Sequence, residues 1–147
     1  MCVVNGMADK RIALLRITYW WGIVADAAET ARMVFPGLFI NSTGAAVERS
    51  PGFDLALLYG APVMLGWTLI LFWADRRPLE RKGVLLCLLP VVVSYFLVEL
   101  YAVARGIVPL NNMLPVFVLQ PAFLVLIVVS YRHARRGERA AARRAAA

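Results

Sequence analysis

The stretch from Leu55 to Ala74, LALLYGAPVMLGWTLILFWA, contains no charged residue, and it limits what this chain can fold into more than any other feature. A hydrocarbon core ~30 Å thick is crossed by about 20 mostly apolar helical residues, because lipid offers the backbone no hydrogen bonds and a helix satisfies its own. Two later stretches have the same length: Val84 to about Val103, whose only charge is Glu99, and about Leu110 to Tyr131. A further candidate, Ile17 to about Phe39, comes first in the chain and contains Asp26, Glu29 and Arg32.

Composition agrees with a membrane chain. Hydrophobic residues make up 61% of the 147 and charged residues 17%, whereas soluble domains carry about 45–50% apolar and about 25% charged residues. Mean hydropathy is +0.70. A net charge of +7 is also found in nucleic-acid binders, but the apolar runs are too long for a small soluble core and folded recognition elements are missing. The charge is better read as orienting the chain in a bilayer. Cys2 and Cys87 form no CxxC, and His133 sits among arginines beyond the last apolar run. A disulfide scaffold, a His/Cys metal site and bis-His haem ligation are all disfavoured, and no cofactor or metal is expected.

The first segment is the expensive one. Each charge near mid-helix costs up to ~3 kcal/mol on insertion scales, while each Leu, Ile, Phe or Val returns ~0.3–0.6 kcal/mol. Loop charge nevertheless argues that it crosses. Arg76, Arg77, Arg81 and Lys82 follow the second segment; Arg132, Arg135, Arg136, Arg139, Arg143 and Arg144 follow the last. The positive-inside rule places both groups in the cytoplasm, and Lys10, Arg11 and Arg16 join them only if the first segment spans. The sequence thus predicts an all-α, polytopic four-transmembrane-helix bundle with both termini inside. Its helices cover about 17–39, 55–74, 84–103 and 110–131, with a cytoplasmic segment 1–16 and a basic tail 132–147 suited to a short helix near anionic headgroups. A signal peptide ending at Ala25-Asp26-Ala27 is the competing reading of the N-terminus; Arg16 interrupts its apolar region and hydrophobicity resumes as far as Ile40. Trp and Tyr residues near the predicted boundaries, Tyr19, Trp20, Trp21, Trp73 and Tyr131 among them, suit headgroup anchoring.

At 100° per residue, Tyr19, Gly22, Asp26, Glu29, Thr30, Arg32 and Met33 share one broad arc of the first helix. Ionisable groups in a membrane face the bundle or a water-filled cavity and are functional candidates by default. Depth counting puts Asp26, Glu29 and Gln120 near the midplane, with Arg32 and Glu99 at similar depths toward the outside. The expectation is an Arg32–Glu99 pair between helices, with Glu29 as an i,i+3 partner of the same guanidinium. Tyr95, Asn111, Asn112 and Gln120 are candidates to complete the hydrogen bonding. Three acids against one base leave two surplus negative charges if all are ionised, a state relieved by protonation, a bound cation or water. Ala27/Ala31 and Ala102/Gly106 give small-xxx-small spacing for close helix packing.

Two stretches carry a family likeness: Tyr19-Trp20-Trp21-Gly22 with Asp26 and Met33-Val34-Phe35-Pro36, then Leu65-Gly66-Trp67-Thr68 leading to Trp73-Ala74-Asp75-Arg76-Arg77-Pro78-Leu79-Glu80-Arg81. Over most of residues 11–131 the chain resembles a group of small prokaryotic four-helix membrane proteins, a resemblance that implies an inner-membrane location and no particular activity. More distantly it is similar to small multidrug-resistance transporters, in which an acid in the first helix binds proton or cationic drug in turn; that likeness points to Asp26 or Glu29. Three functions follow. The first is a structural or interaction subunit, a homo-oligomer or part of a membrane complex, with its charge cluster locking the bundle. The second is a proton- or cation-coupled transporter using Asp26 or Glu29. The third is a lipid-processing enzyme, ranked last because no histidine, serine–base pair or phosphate motif accompanies the cluster. The bilayer is the expected partner, and nucleic acid is not.

Overall fold

A computed structural model describes residues 2–146. The described chain is all-helical: α1 (Cys2–Val34), α2 (Pro36–Thr43), α3 (Pro51–Asp75), α4 (Val84–Ala104) and α5 (Leu110–Ala145). The all-α class is as read from the sequence, but the four-transmembrane-helix bundle is corrected. There are five helices, and three of them, α3, α4 and α5, are long and apolar enough to cross a membrane. The charges Asp26, Glu29 and Arg32 break the apolar run of α1, which keeps it out of that set.

The segment expected as one helix over 17–39 is divided at Phe35, whose φ of −115° and ψ of 84° leave the helical region. A residue before proline is pushed out of the α basin by the ring, and Pro36 then opens α2 at a position where its missing N–H is not needed. At the other end of the chain the helix continues through the basic tail to Ala145 without a break. Ala, Arg and Glu dominate there and are good helix formers.

α1 lies along α3 and also contacts α5, and α4 packs on α5. Glycine sets the closeness of the first contact: a Cβ on Gly22 would sit 2.7 Å from Leu71 Cδ1 and 3.3 Å from Phe123 Cζ. Ala27 and Ala31, the small pair suggested by spacing, are exposed. The main core is built from Leu15, Tyr19, Leu71, Leu85, Leu88 and Ile127. Outside it, Leu69, Val98, Val118 and Val125 are all more than half exposed, as lipid-facing side chains are.

Polar contacts fasten the basic end. Thr18 donates to Leu14 O at 2.9 Å, so its single proton is committed and Ser130 Oγ donates across the 2.6 Å contact to Thr18 Oγ1. Both residues are buried. Tyr19, fully buried rather than anchored at the headgroups, donates to Arg81 O at 3.1 Å. Arg16 lies 3.8 Å from Asp75, and Lys82 of the α3–α4 hairpin pairs with Glu138 of α5. Gly137 leaves room for the Arg11 guanidinium, which a Cβ would overlap. At the opposite end Ala46 N–H donates to Ile107 O at 2.8 Å, and Asn112 Nδ2 to Thr43 O at 3.0 Å. Gly44 makes that turn with φ +62°, where a side chain would strike Asn112.

Two outcomes test this packing. Gly22→Leu is expected to cost ~1–3 kcal/mol by overpacking, lowering the unfolding midpoint in detergent, and Leu71→Ala in the same chain should recover part of the loss. Ser130→Ala should cost ~0.6–1.7 kcal/mol, the range of interhelical hydrogen bonds in membranes, while Ser130→Ala added to Thr18→Val should cost less than the sum.

Candidate functional site

The polar side chains of α1 turn toward a space that helix packing leaves unfilled. α1 and α4 are not among the closely packed helix pairs, and between them lies a cavity of about 280 Å³. Asp26, Glu29 and Arg32 reach it from α1, Tyr95 and Glu99 from α4, and Gln120 from α5. The spacing explains the convergence: three residues apart on α1 and four apart on α4 are neighbours on one helix face. Apolar walls come from Trp21, Leu88, Val92 and Phe123, with Trp21 stacked on Phe123 at 5.9 Å between ring centres.

Arg32 Nη1 donates to Glu29 Oε2 at 2.6 Å, an i,i+3 pair whose side chains keep 28% and 22% of their surface accessible. The guanidinium also lies 5.4 Å from the centre of the Phe39 ring. Tyr95 Oη donates to the Met64 thioether at 3.1 Å and so links α4 to α3 at the cavity edge. Asp26 Oδ2, Arg32 Nε, Glu99 Oε2 and Gln120 Oε1 are buried without a hydrogen-bond partner. Buried polar atoms are nearly always paired. Four of the five orphaned atoms among the described residues surround this one cavity, the fifth being Asp75 Oδ1 at the basic end, and they mark a place where water, a proton or a ligand supplies what the protein does not.

The expected interhelical Arg32–Glu99 bridge does not form: among the described residues the carboxylate within 4 Å of Arg32 is that of Glu29. The i,i+3 partner is on the same helix and is reached without any change in the distance between α1 and α4. Tyr95 and Gln120 join the cluster as anticipated. Asn111 and Asn112 do not line the cavity; they are exposed at the start of α5, where Asn112 ties down the α2–α3 turn. Sequence reasoning assigned Trp21 to anchoring, and it missed both Trp21 and Met64 as wall residues. One signal was available, since Trp21, Ala25, Ala28 and Arg32 recur at helical spacing and all line the cavity. In the charged turn after α3, Asp75 pairs with Arg16 of α1, and Glu80 takes Arg77 at 3.3 Å.

Chemically the lining offers three carboxyl groups, one guanidinium, one amide, one phenol and one thioether. With Glu29 paired to Arg32, Asp26 and Glu99 are left without a salt-bridge partner among the described residues. Compared with known proteins, the chain matches no family model, no curated sequence and no solved structure.

Stability separates the two roles of the acids. Glu29→Gln removes the one ionic partner of Arg32 and is expected to cost roughly 1–3 kcal/mol, between exposed and fully buried pairs. Glu99→Gln, which breaks no bridge, should leave the unfolding midpoint within about 1 °C of the parent protein. Equal losses would restore Arg32–Glu99 as the lock.

Proposed function

We propose that this is an inner-membrane protein that binds a small cation, in exchange with protons, in the cavity between α1, α4 and α5, and that it acts as a proton- or cation-coupled carrier. The observation that carries this reading is the set of three unpartnered buried oxygens, Asp26 Oδ2, Glu99 Oε2 and Gln120 Oε1, around one cavity. A bundle locked by its charges would have paired them. Asp26 and Glu99 supply the negative charge, and the Glu29–Arg32 pair leaves Arg32 too engaged to repel a cation strongly. Trp21 and Phe123 add aromatic faces, which attract cations bearing apolar groups. The volume, just under the ~300–1,000 Å³ of drug-sized sites, favours a ligand of few heavy atoms. An acid in the first helix is also where the likeness to small multidrug-resistance transporters places their exchange site.

The orientation follows from charge. Arg76, Arg77, Arg81 and Lys82 share one end of the molecule with Arg11, Arg16 and the α5 extension, and we assign this end to the cytoplasm of a prokaryotic cell. Ala27 and Ala31, exposed on α1 at small-xxx-small spacing, supply a face for a second copy or a partner subunit.

Reconstituted vesicles test the reading. Tetramethylammonium binding should release protons into unbuffered solution, and an imposed pH gradient should drive its uptake. Asp26→Asn and Glu99→Gln are each expected to reduce binding at least tenfold with an unchanged elution profile. Uptake and proton release that persist at the parental level in the double variant would reject the proposal.

A further inference from the structure

Past the last apolar turn of α5, Arg132, Arg135, Arg136 and Arg139 fall at i, i+3, i+4 and i+7, on one face over two turns. They line a cleft of about 430 Å³. Its other wall is Leu86 and Leu89 of α4, and Val128, one turn before Arg132, continues the arginine face into the apolar part of α5. Among the described residues no acidic side chain lines the cleft. Glu138, close by in sequence, is held by Lys82, and among the described residues no carboxylate lies within 4 Å of the four guanidinium groups. Four like charges within two turns repel one another, and an anion relieves that repulsion.

The cleft is two-sided in chemistry. Its arginine part suits a phosphate, which the planar guanidinium fork grips through paired N–H donors. Its Leu86, Leu89 and Val128 part suits hydrocarbon, and it belongs to two helices that are long and apolar enough to cross a membrane. Free phosphate would use only the first part. A lipid uses both, and it approaches from the bilayer in the required orientation, headgroup at the arginines and chains along the helices.

We propose that this cleft is a binding site for an anionic phospholipid, with the phosphodiester headgroup on Arg132, Arg135, Arg136 and Arg139 and an acyl chain along Leu86, Leu89 and Val128. The cleft shares no lining residue with the Glu99 cavity, and the proposal does not depend on cation binding there.

The test uses the full chain in neutral detergent, following thermal unfolding while phosphatidylglycerol, phosphatidylcholine or inorganic phosphate is added. Phosphatidylglycerol is expected to raise the midpoint by several degrees and to saturate, with the other two giving no comparable rise. Replacing Arg135 and Arg139 by Gln should weaken the apparent phosphatidylglycerol affinity at least tenfold. Replacing Arg76 and Arg77 by Gln removes the same charge from the same end, outside the cleft, and should change it less than twofold. Equal weakening in the two variants would overturn the site in favour of diffuse attraction, and stabilisation by inorganic phosphate as strong as by the lipid would overturn the lipid as occupant. Counting bound phosphatidylglycerol by native mass spectrometry reads occupancy directly, so a variant of altered stability still decides the question.

Discussion

Lipid cannot hydrogen-bond, and that single property organises the molecule. Every polar group carried into the apolar zone must find a partner among the helices or in enclosed water. α1 carries Asp26, Glu29 and Arg32, and the structure turns all three toward a cavity bordered by α4 and α5, where Glu29 and Arg32 pair with each other and Asp26 Oδ2 is left without a protein partner. The outward surfaces of α3, α4 and α5 are then free to be almost entirely hydrocarbon. Gly22 makes the arrangement possible from the other side: by letting α1 settle against Leu71 and Phe123, it fixes the rotation of α1 that aims its charges inward.

The two ends of the molecule are tied differently. The basic end is held by buried hydroxyls, a tyrosine clamp and ion pairs that link α1, the α3–α4 hairpin and α5. The other end rests on two hydrogen bonds between turns and a small cluster of Ala45, Val108 and Met113. Between them α1 and α4 are not closely packed, and the cavity lies there. Arg32 takes its ionic partner from its own helix, so no salt bridge from it closes that gap. The same geometry that leaves Glu99 without an ionic partner therefore preserves the space in which a ligand would sit.

Much of this was legible along the chain, but unevenly. α3, α4 and α5 were readable because twenty apolar residues in a row admit little else. The division of α1 from α2 was written in Phe35-Pro36 and was overridden by the continuing hydrophobicity around it. That Asp26, Glu29 and Arg32 share a face follows from helical spacing alone, and so does the Arg132–Arg139 stripe. Which partner each group takes does not follow. Depth counting made Glu99 the natural mate of Arg32, because it measures height in the bilayer and carries no information on the lateral distance between helices. Asn112 shows the same limit: its polarity suggested the cluster, and its position at the start of α5 gave it to Thr43.

Sequence by itself determined the helical class, the three apolar spans, the charge asymmetry of the ends and the side of α1 on which its ionisable groups lie, since all of these depend on local period and composition. Tertiary structure alone decided that α1 packs on α3 and α5 while standing off from α4, that Glu29 rather than Glu99 neutralises Arg32, and that Trp21 and Met64 border a cavity. Those outcomes turn on how closely helix axes approach, which is set by a glycine on one helix meeting a leucine on another, far away in the chain.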